Sequence, residues 1–183
     1  WQPQNGWLSE LDWKALSIVS KDTNGFWFFN NSPNAGASQP HRHLQLLRRN
    51  NTRDLFPRQN WFEDYLINKT KDNRHINLYK SCMVLPRLEN NSHHELNELY
   101  LKLCRELQIG DPIHDKIPKY PYNLIITNRW IAMIVRSVES YKNFNINALG
   151  FAGYFLVGKQ SDVEWLRING GEKLLEGVVQ PVN

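Results

Sequence analysis

Cysteine is scarce: Cys82 and Cys104 are the only two among 183 residues, and each sits in apolar surroundings. That excludes a disulfide framework and points to two buried thiols in a reducing setting, expected to be the cytoplasm. No paired cysteines stand at metal-ligand spacing, so a structural zinc is not expected. No apolar run approaches the ~20 residues that a membrane span needs. A basic start with an apolar stretch and a small-residue cleavage site is missing too, so no signal peptide is read. Nor does the chain open on methionine. It begins at Trp1 and goes quickly into a helical pattern, from which we expect residues upstream to be missing.

What remains is ordinary for a globular protein, with 41% hydrophobic and 22% charged residues. Disorder and collagen-like structure are excluded, and one domain over 1–183 is expected. The net charge of +4 suits polyanionic partners such as nucleotides. Arg42, Arg48, Arg49, Arg53 and Arg58 cluster in one stretch, and solvated surface is the ordinary explanation for most of them. Aromatics follow strand and helix patterns instead of interleaving with these arginines, which argues against nucleic acid as a partner.

Leu8, Leu11, Ala15, Leu16 and Val19 lie close to helical spacing over 8–20, with Ser9 as N-cap. Asn24-Gly25 turns the chain into an aromatic strand over 26–30. Residues 31–40 are small and polar and read as a loop. A strand is expected over 41–49, an exposed connection over 50–60, and a short helix over 61–67. Residues 69–74 are polar, and 76–85 read as a strand stopped by Pro86. Ser92 and Glu95 form a capping box that starts the clearest helix, whose stripe is Leu96, Leu99, Tyr100, Leu103 and Leu107. Residues 122–127 and 130–136 read as a hairpin turning at Asn128-Arg129. A glycine-interrupted strand is expected over 146–157, and a helix from Ser161 that breaks at Gly170-Gly171. Antiparallel strands with helices place the chain in the α+β class.

Chemistry concentrates between Asn30 and Gln45. Alternate residues of a strand share a face, so His41, His43 and Gln45 would line one side while Leu44 and Leu46 take the other. Two imidazoles and a carboxamide make a poor core face. The preceding loop offers Gly36, Ala37, Ser38 and Gln39, a run suited to presenting N–H groups to phosphate oxygens. Three readings of the histidines compete: structural residues bonded to nearby backbone, an H-x-H metal pair without a third ligand at recognisable spacing, and nucleophilic catalysis. In the last, the imidazole attacks phosphorus while its other nitrogen donates a bond that fixes the tautomer.

The segment from Asn30 to Gln45, ending Ser38-Gln39-Pro40-His41-Arg42-His43-Leu44-Gln45, resembles the signature of the diadenosine tetraphosphate phosphorylases, or ATP adenylyltransferases. These form part of the H-x-H-x-Q branch of the histidine-triad superfamily, shared with galactose-1-phosphate uridylyltransferase. A second block agrees, Tyr122 to Thr127 with Trp130, Ile134, Val135, Arg136 and Ser137, then Asn147 to Gly153. The resemblance implies a half-barrel sheet with flanking helices and His43 as the nucleophile that takes AMP. It implies that Gln45 bonds a non-bridging oxygen and that His41 supports the attack. Asn30, Gly36, Ala37, Ser38 and Gln39 would hold the phosphate chain, and Asn147, Ala148, Leu149 and Tyr154 would contact substrate. A family lysine falls on Gly158, with Lys159 one step later. Further family contacts, another lysine included, belong to strands ahead of the first helix, a part this sequence does not hold. The implied partners are diadenosine tetraphosphate, ATP, ADP and phosphate, with no resident cofactor and Mg2+ entering, if at all, with the nucleotide. A hydrolase, another nucleotidyltransferase, or a non-catalytic nucleotide binder are the alternatives, and oligomeric state is left open.

Overall fold

The computed structural model describes residues 1–49, 55–68, 75–88 and 91–182. Its elements, in chain order, are α1 (Glu10–Ser20), β1 (Gly25–Asn30), a 3-10 turn (Pro33–Ala35), β2 (Gln45–Arg48), α2 (Gln59–Asn68), α3 (Ile76–Lys80), β3 (Cys82–Pro86) and α4 (His93–Glu106). Then follow β4 (Tyr122–Ile126), β5 (Trp130–Val135), the small hairpin β6 (Ser140–Tyr141) and β7 (Phe144–Asn145), α5 (Ala148–Phe151) and α6 (Val163–Glu176). Five strands form one antiparallel sheet in the order β2-β1-β4-β5-β3. The α+β expectation holds.

The sheet has a core on each face, which is why β4 and β5 are buried throughout. On one side α1 and α4 bring Trp13, Leu16, Tyr100 and Leu103 against Phe29, Leu124 and Met133. On the other, Phe56 ahead of α2 and Phe62, Phe151, Leu174 and Leu175 from the remaining helices cover Phe26, Phe28, Ile125 and Ala132. Fully burying side chains of this size contributes about 1.5–3 kcal/mol each. α1 turns its Trp13 and Leu16 inward, whereas Leu11 and Val19 face solvent. At its start the backbone N–H and hydroxyl of Ser9 both donate to Asp12 Oδ2 at 2.7 Å. The capping box of α4 is present, with Ser92 Oγ accepting from Glu95 N at 3.2 Å and Ser92 N donating to Glu95 Oε2 at 2.7 Å.

Several expected elements differ. The strand expected over 41–49 is regular only from Gln45 to Arg48; at His41 the chain instead makes a bridge to Pro3. The connection expected over 50–60 contains buried Leu55, Phe56 and Gln59, and α2 begins at Gln59; 50–54 lie outside the described residues, as do 69–74. The strand expected over 76–85 divides into α3 and β3, because Ser81 closes a helical turn by donating from Oγ and N to Asn77 O. The strand expected over 146–157 is replaced by α5, a single turn capped by Asn147, whose Oδ1 accepts from Leu149 N at 2.9 Å. Gly170 does kink α6. Among the described residues no helix is long and apolar enough to cross a membrane. Cys82 and Cys104 are free and buried, and burial pushes both thiols up, Cys104 to about 12.

Candidate active site

His43 lies just ahead of edge strand β2. Its Nδ1 meets the carbonyl oxygen of His41 at 2.9 Å. A carbonyl can only accept, so Nδ1 carries a proton, and in the neutral ring Nε2 then keeps a bare lone pair. The two imidazoles stand 5.5 Å apart, His43 half-buried and His41 exposed. His41 thus bears on its neighbour through its backbone. Gln45 pairs with Phe28 in the β1–β2 register and shares its face; its carboxamide has no partner among the described residues. Leu44 packs into the α1–α4 core and Leu47 into the opposite one.

The loop over 31–40 is drawn against the Asn147 turn by Gly36. Its φ is +82°, and a Cβ there would fall 2.6 Å from Asn147 Cβ and 2.8 Å from Ile146 O. Only glycine tolerates both. Gly36 N and Ala37 N are spent inside the loop, on Pro33 O at 2.8 Å and Ser32 O at 3.0 Å. The N–H groups of Ser38 and Gln39 have no partner among the described residues, so the donors left for an anion narrow to these two. Both residues line an open cleft of about 530 Å³ together with Pro3, Gln4 and Ser32.

Asn30 is nearly buried, at 2% exposure. Its Oδ1 accepts from Ala148 N at 2.9 Å and from Asn123 Nδ2 at 2.8 Å, leaving its own Nδ2 unbonded among the described residues. Ala148 and Leu149 therefore have their N–H groups engaged in shaping the site. Leu149 also packs on the core. Tyr154 is set apart: its hydroxyl takes Arg49 Nη2 at 2.6 Å, beside a separate cleft of about 420 Å³ that includes Phe56 and Pro57. Lys159 is exposed on the turn before α6 and bonds to nothing among the described residues.

Three residues given no site role from sequence hold this arrangement, though Asn123 and Arg136 belong to the second block of the resemblance. Gln4 donates from Nε2 to Asn30 O at 2.6 Å and accepts at Oε1 from His43 N at 2.9 Å. Asn123 links Asn30 Oδ1 to Ala35 O. Arg136 is fully buried; its Nη1 meets Asn123 Oδ1 at 2.7 Å and Ile146 O at 2.8 Å, and its other nitrogens meet Val138 O, Glu139 O and Val178 O. Burial pulls its guanidinium down to about 9, against which Glu139 acts weakly. Besides that block, the signal that could have marked Asn123 and Arg136 is a carboxamide and a guanidinium beside apolar strand residues. Gln4 offers no such signal.

The arginine run is less solvated than expected. Arg42 meets Asp12 Oδ2 at 2.6 Å and Arg58 holds Glu172 through two bonds of 2.9 and 2.7 Å, both arginine side chains being mostly covered. Arg53 lies outside the described residues. One trio, Glu10, His93 and His94, brings metal-ligating atoms within 4.8 Å of one another. Its two histidines sit at the first turn of α4, where the helix dipole opposes a cation, and Glu10 opens α1.

The description "ATP adenylyltransferase C-terminal domain" matches residues 65–181, and "Ap4A phosphorylase N-terminal domain" matches residues 1–59. The chain belongs to the ATP adenylyltransferase family. Among solved structures, yeast Ap4A phosphorylase Apa2 superposes with a TM-score of 0.72 at 23% identity, over 98% of this chain and 65% of that one. Apa2 in complex with Ap4A gives 0.73 at 21% identity, and in complex with AMP 0.68 at 21%, each over 98% of this chain and 66% of that one. The present chain thus spans just under two thirds of Apa2. A search of curated protein sequences finds no match.

Proposed function

We propose that the chain acts in nucleotidyl transfer, splitting diadenosine tetraphosphate with phosphate into ATP and ADP by way of an adenylyl group carried on His43. The observation that carries this reading is the 2.9 Å bond from His43 Nδ1 to His41 O, which leaves Nε2 as a nucleophile in an ATP adenylyltransferase family member. In the first step Nε2 attacks the α-phosphorus, a P–N bond forms, and the bond from that phosphorus to the bridging oxygen breaks to release ATP. No proton need move: Nδ1 keeps its hydrogen, and the His41 carbonyl stabilises the positive charge that grows on the ring. In the second step an oxygen of inorganic phosphate attacks the same phosphorus, the P–N bond breaks, and ADP leaves. Run backwards, ATP and ADP combine. The N–H groups of Ser38 and Gln39 and the amide of Gln45, without partners among the described residues, are suited to the equatorial oxygens, where removing one donor costs on the order of 10²-fold in rate.

His43→Ala is expected to abolish turnover. His41→Ala should only impair it, because the carbonyl that fixes the tautomer survives the substitution. Mass spectrometry after exposure to diadenosine tetraphosphate should find one added adenylyl group in the wild type and none in His43→Ala. With phosphate present the second product should be ADP; AMP in its place would make water the acceptor, and full activity in His43→Ala would remove the histidine from the reaction.

A further inference from the structure

We infer that Gln4 is a positioning residue for His43, setting the place and the tautomer of the imidazole from a segment distant in sequence. The inference rests on the transfer reading for its kinetic consequence, though not for its structural one. Gln4 is 2% exposed, and a buried carboxamide without partners would be costly. Both ends are used. Oε1 accepts from the His43 backbone N–H at 2.9 Å, and Nε2 donates to Asn30 O at 2.6 Å. One side chain therefore ties the residue that bears the nucleophile to the end of β1, an interior strand of the sheet.

The backbone alone would hold the two segments together. Gln4 N bonds Pro40 O at 2.9 Å, Arg42 N bonds Gln2 O at 2.7 Å, and Pro3 bridges His41. These contacts secure 40–42 and stop short of His43. Past that point, regular pairing resumes only at Gln45. Among the described residues the His43 N–H has Gln4 Oε1 as its partner, and Gln4 bridges the gap. If the backbone at 43 shifts, the ring moves away from the His41 carbonyl, and with it goes the Nδ1–H form, the one an unconstrained imidazole disfavours. Nε2 would then carry the hydrogen part of the time and be unable to attack.

The test compares the wild type with Gln4→Met, which keeps the volume and removes both bonds. Gln4→Asn, one methylene shorter, keeps the polarity but cannot span both partners, and serves if the methionine variant does not fold. Nitrogen-15 spectra of the histidine rings, with His43→Gln for assignment, should show a bare Nε2 in the wild type. In both Gln4 variants the two ring nitrogens should move toward averaged shifts. The rate of AMP transfer onto His43 should fall on the order of 10²-fold, the cost of about an ångström of misplacement, while affinity for AMP changes far less. A folded Gln4 variant that keeps the single tautomer and the wild-type transfer rate overturns the inference, as does a tautomer mixture in the wild type. Should the wild type hold the tautomer, the variants lose it, and no AMP ever appear on His43, the positioning role stands and phosphorolysis falls.

Discussion

Gly36 combines a left-handed backbone with a close approach to the Asn147 turn. Its φ of +82° strains any side chain, and the space for a Cβ is occupied by backbone atoms of Ile146 and Asn147 that cannot swing aside. Gly36→Ala should cost about 1–3 kcal/mol of stability from strain alone. It should also part the 31–40 loop from the Asn147 turn and, on the proposed function, weaken AMP binding. Gly158→Ala is the control: the nearest atom to its Cβ, Ser161 Oγ, is 3.8 Å away, so its urea midpoint should match the wild type within about 0.5 kcal/mol. Equal midpoints in the two variants would contradict the close approach. At this scale the candidate residues named from sequence are those whose chemistry is local. His43, Gln45 and the glycine-serine loop lie within one stretch, and their residue types point to phosphorus. Gln4, Asn123 and Arg136 act across the fold, bonding partners that only folding brings near, and no spacing rule reaches them.

Among the elements, α4 was legible almost to the residue because its cap and its stripe agree. Others were not, for physical reasons. α3 and β3 together form one apolar run, and periodicity cannot divide a run that short. α5 is a single turn held by Asn147 and Asn30, so tertiary contacts decide it. The docking of α4 carries a measurable consequence. Tyr100 of α4 and Tyr122 of β4 share a bond of 2.8 Å between hydroxyls in the core. Burial raises both phenols, and likewise Tyr65, Cys82 and Cys104. An acid whose pKa is higher folded than unfolded stabilises the fold fully below its unfolded value and gives that up as pH climbs toward the folded one. Arg58 and Arg136, bases lowered by burial, work in the opposite sense, two bases against five acids. The denaturant midpoint should therefore fall from about pH 9 upward, where the unfolded chain begins to ionise its thiols and then its phenols. Tyr122→Phe, with one such group fewer, should fall less steeply. A midpoint level across that range would mean these side chains are not buried as described.

For the whole molecule the question is whether two family descriptions mean two independent units. The stretch matched as N-terminal ends near Gln59, yet its β1 pairs with β4 from the other stretch, Trp27 opposite Ile126 through Asn30 opposite Asn123. β1 lies between β2 and β4, so neither stretch completes the sheet alone. Phe26 and Phe28 fill the core under α2, α5 and α6, while Phe29 fills the one under α1 and α4, so each core draws on both stretches. Arg58 adds a tie from the start of α2 to Glu172 in α6 and to Phe151 O at 2.7 Å. Cores interlocked in this way should melt together. Trp13 reports on one core and Trp130 on the other, and replacing either with phenylalanine biases fluorescence toward the opposite core. Urea unfolding of Trp13→Phe should then give the same midpoint by fluorescence as by far-ultraviolet circular dichroism, and so should Trp130→Phe. If in either variant the fluorescence midpoint stood apart from the dichroism, one core would be opening while the other held, and the shared sheet would not be what couples them.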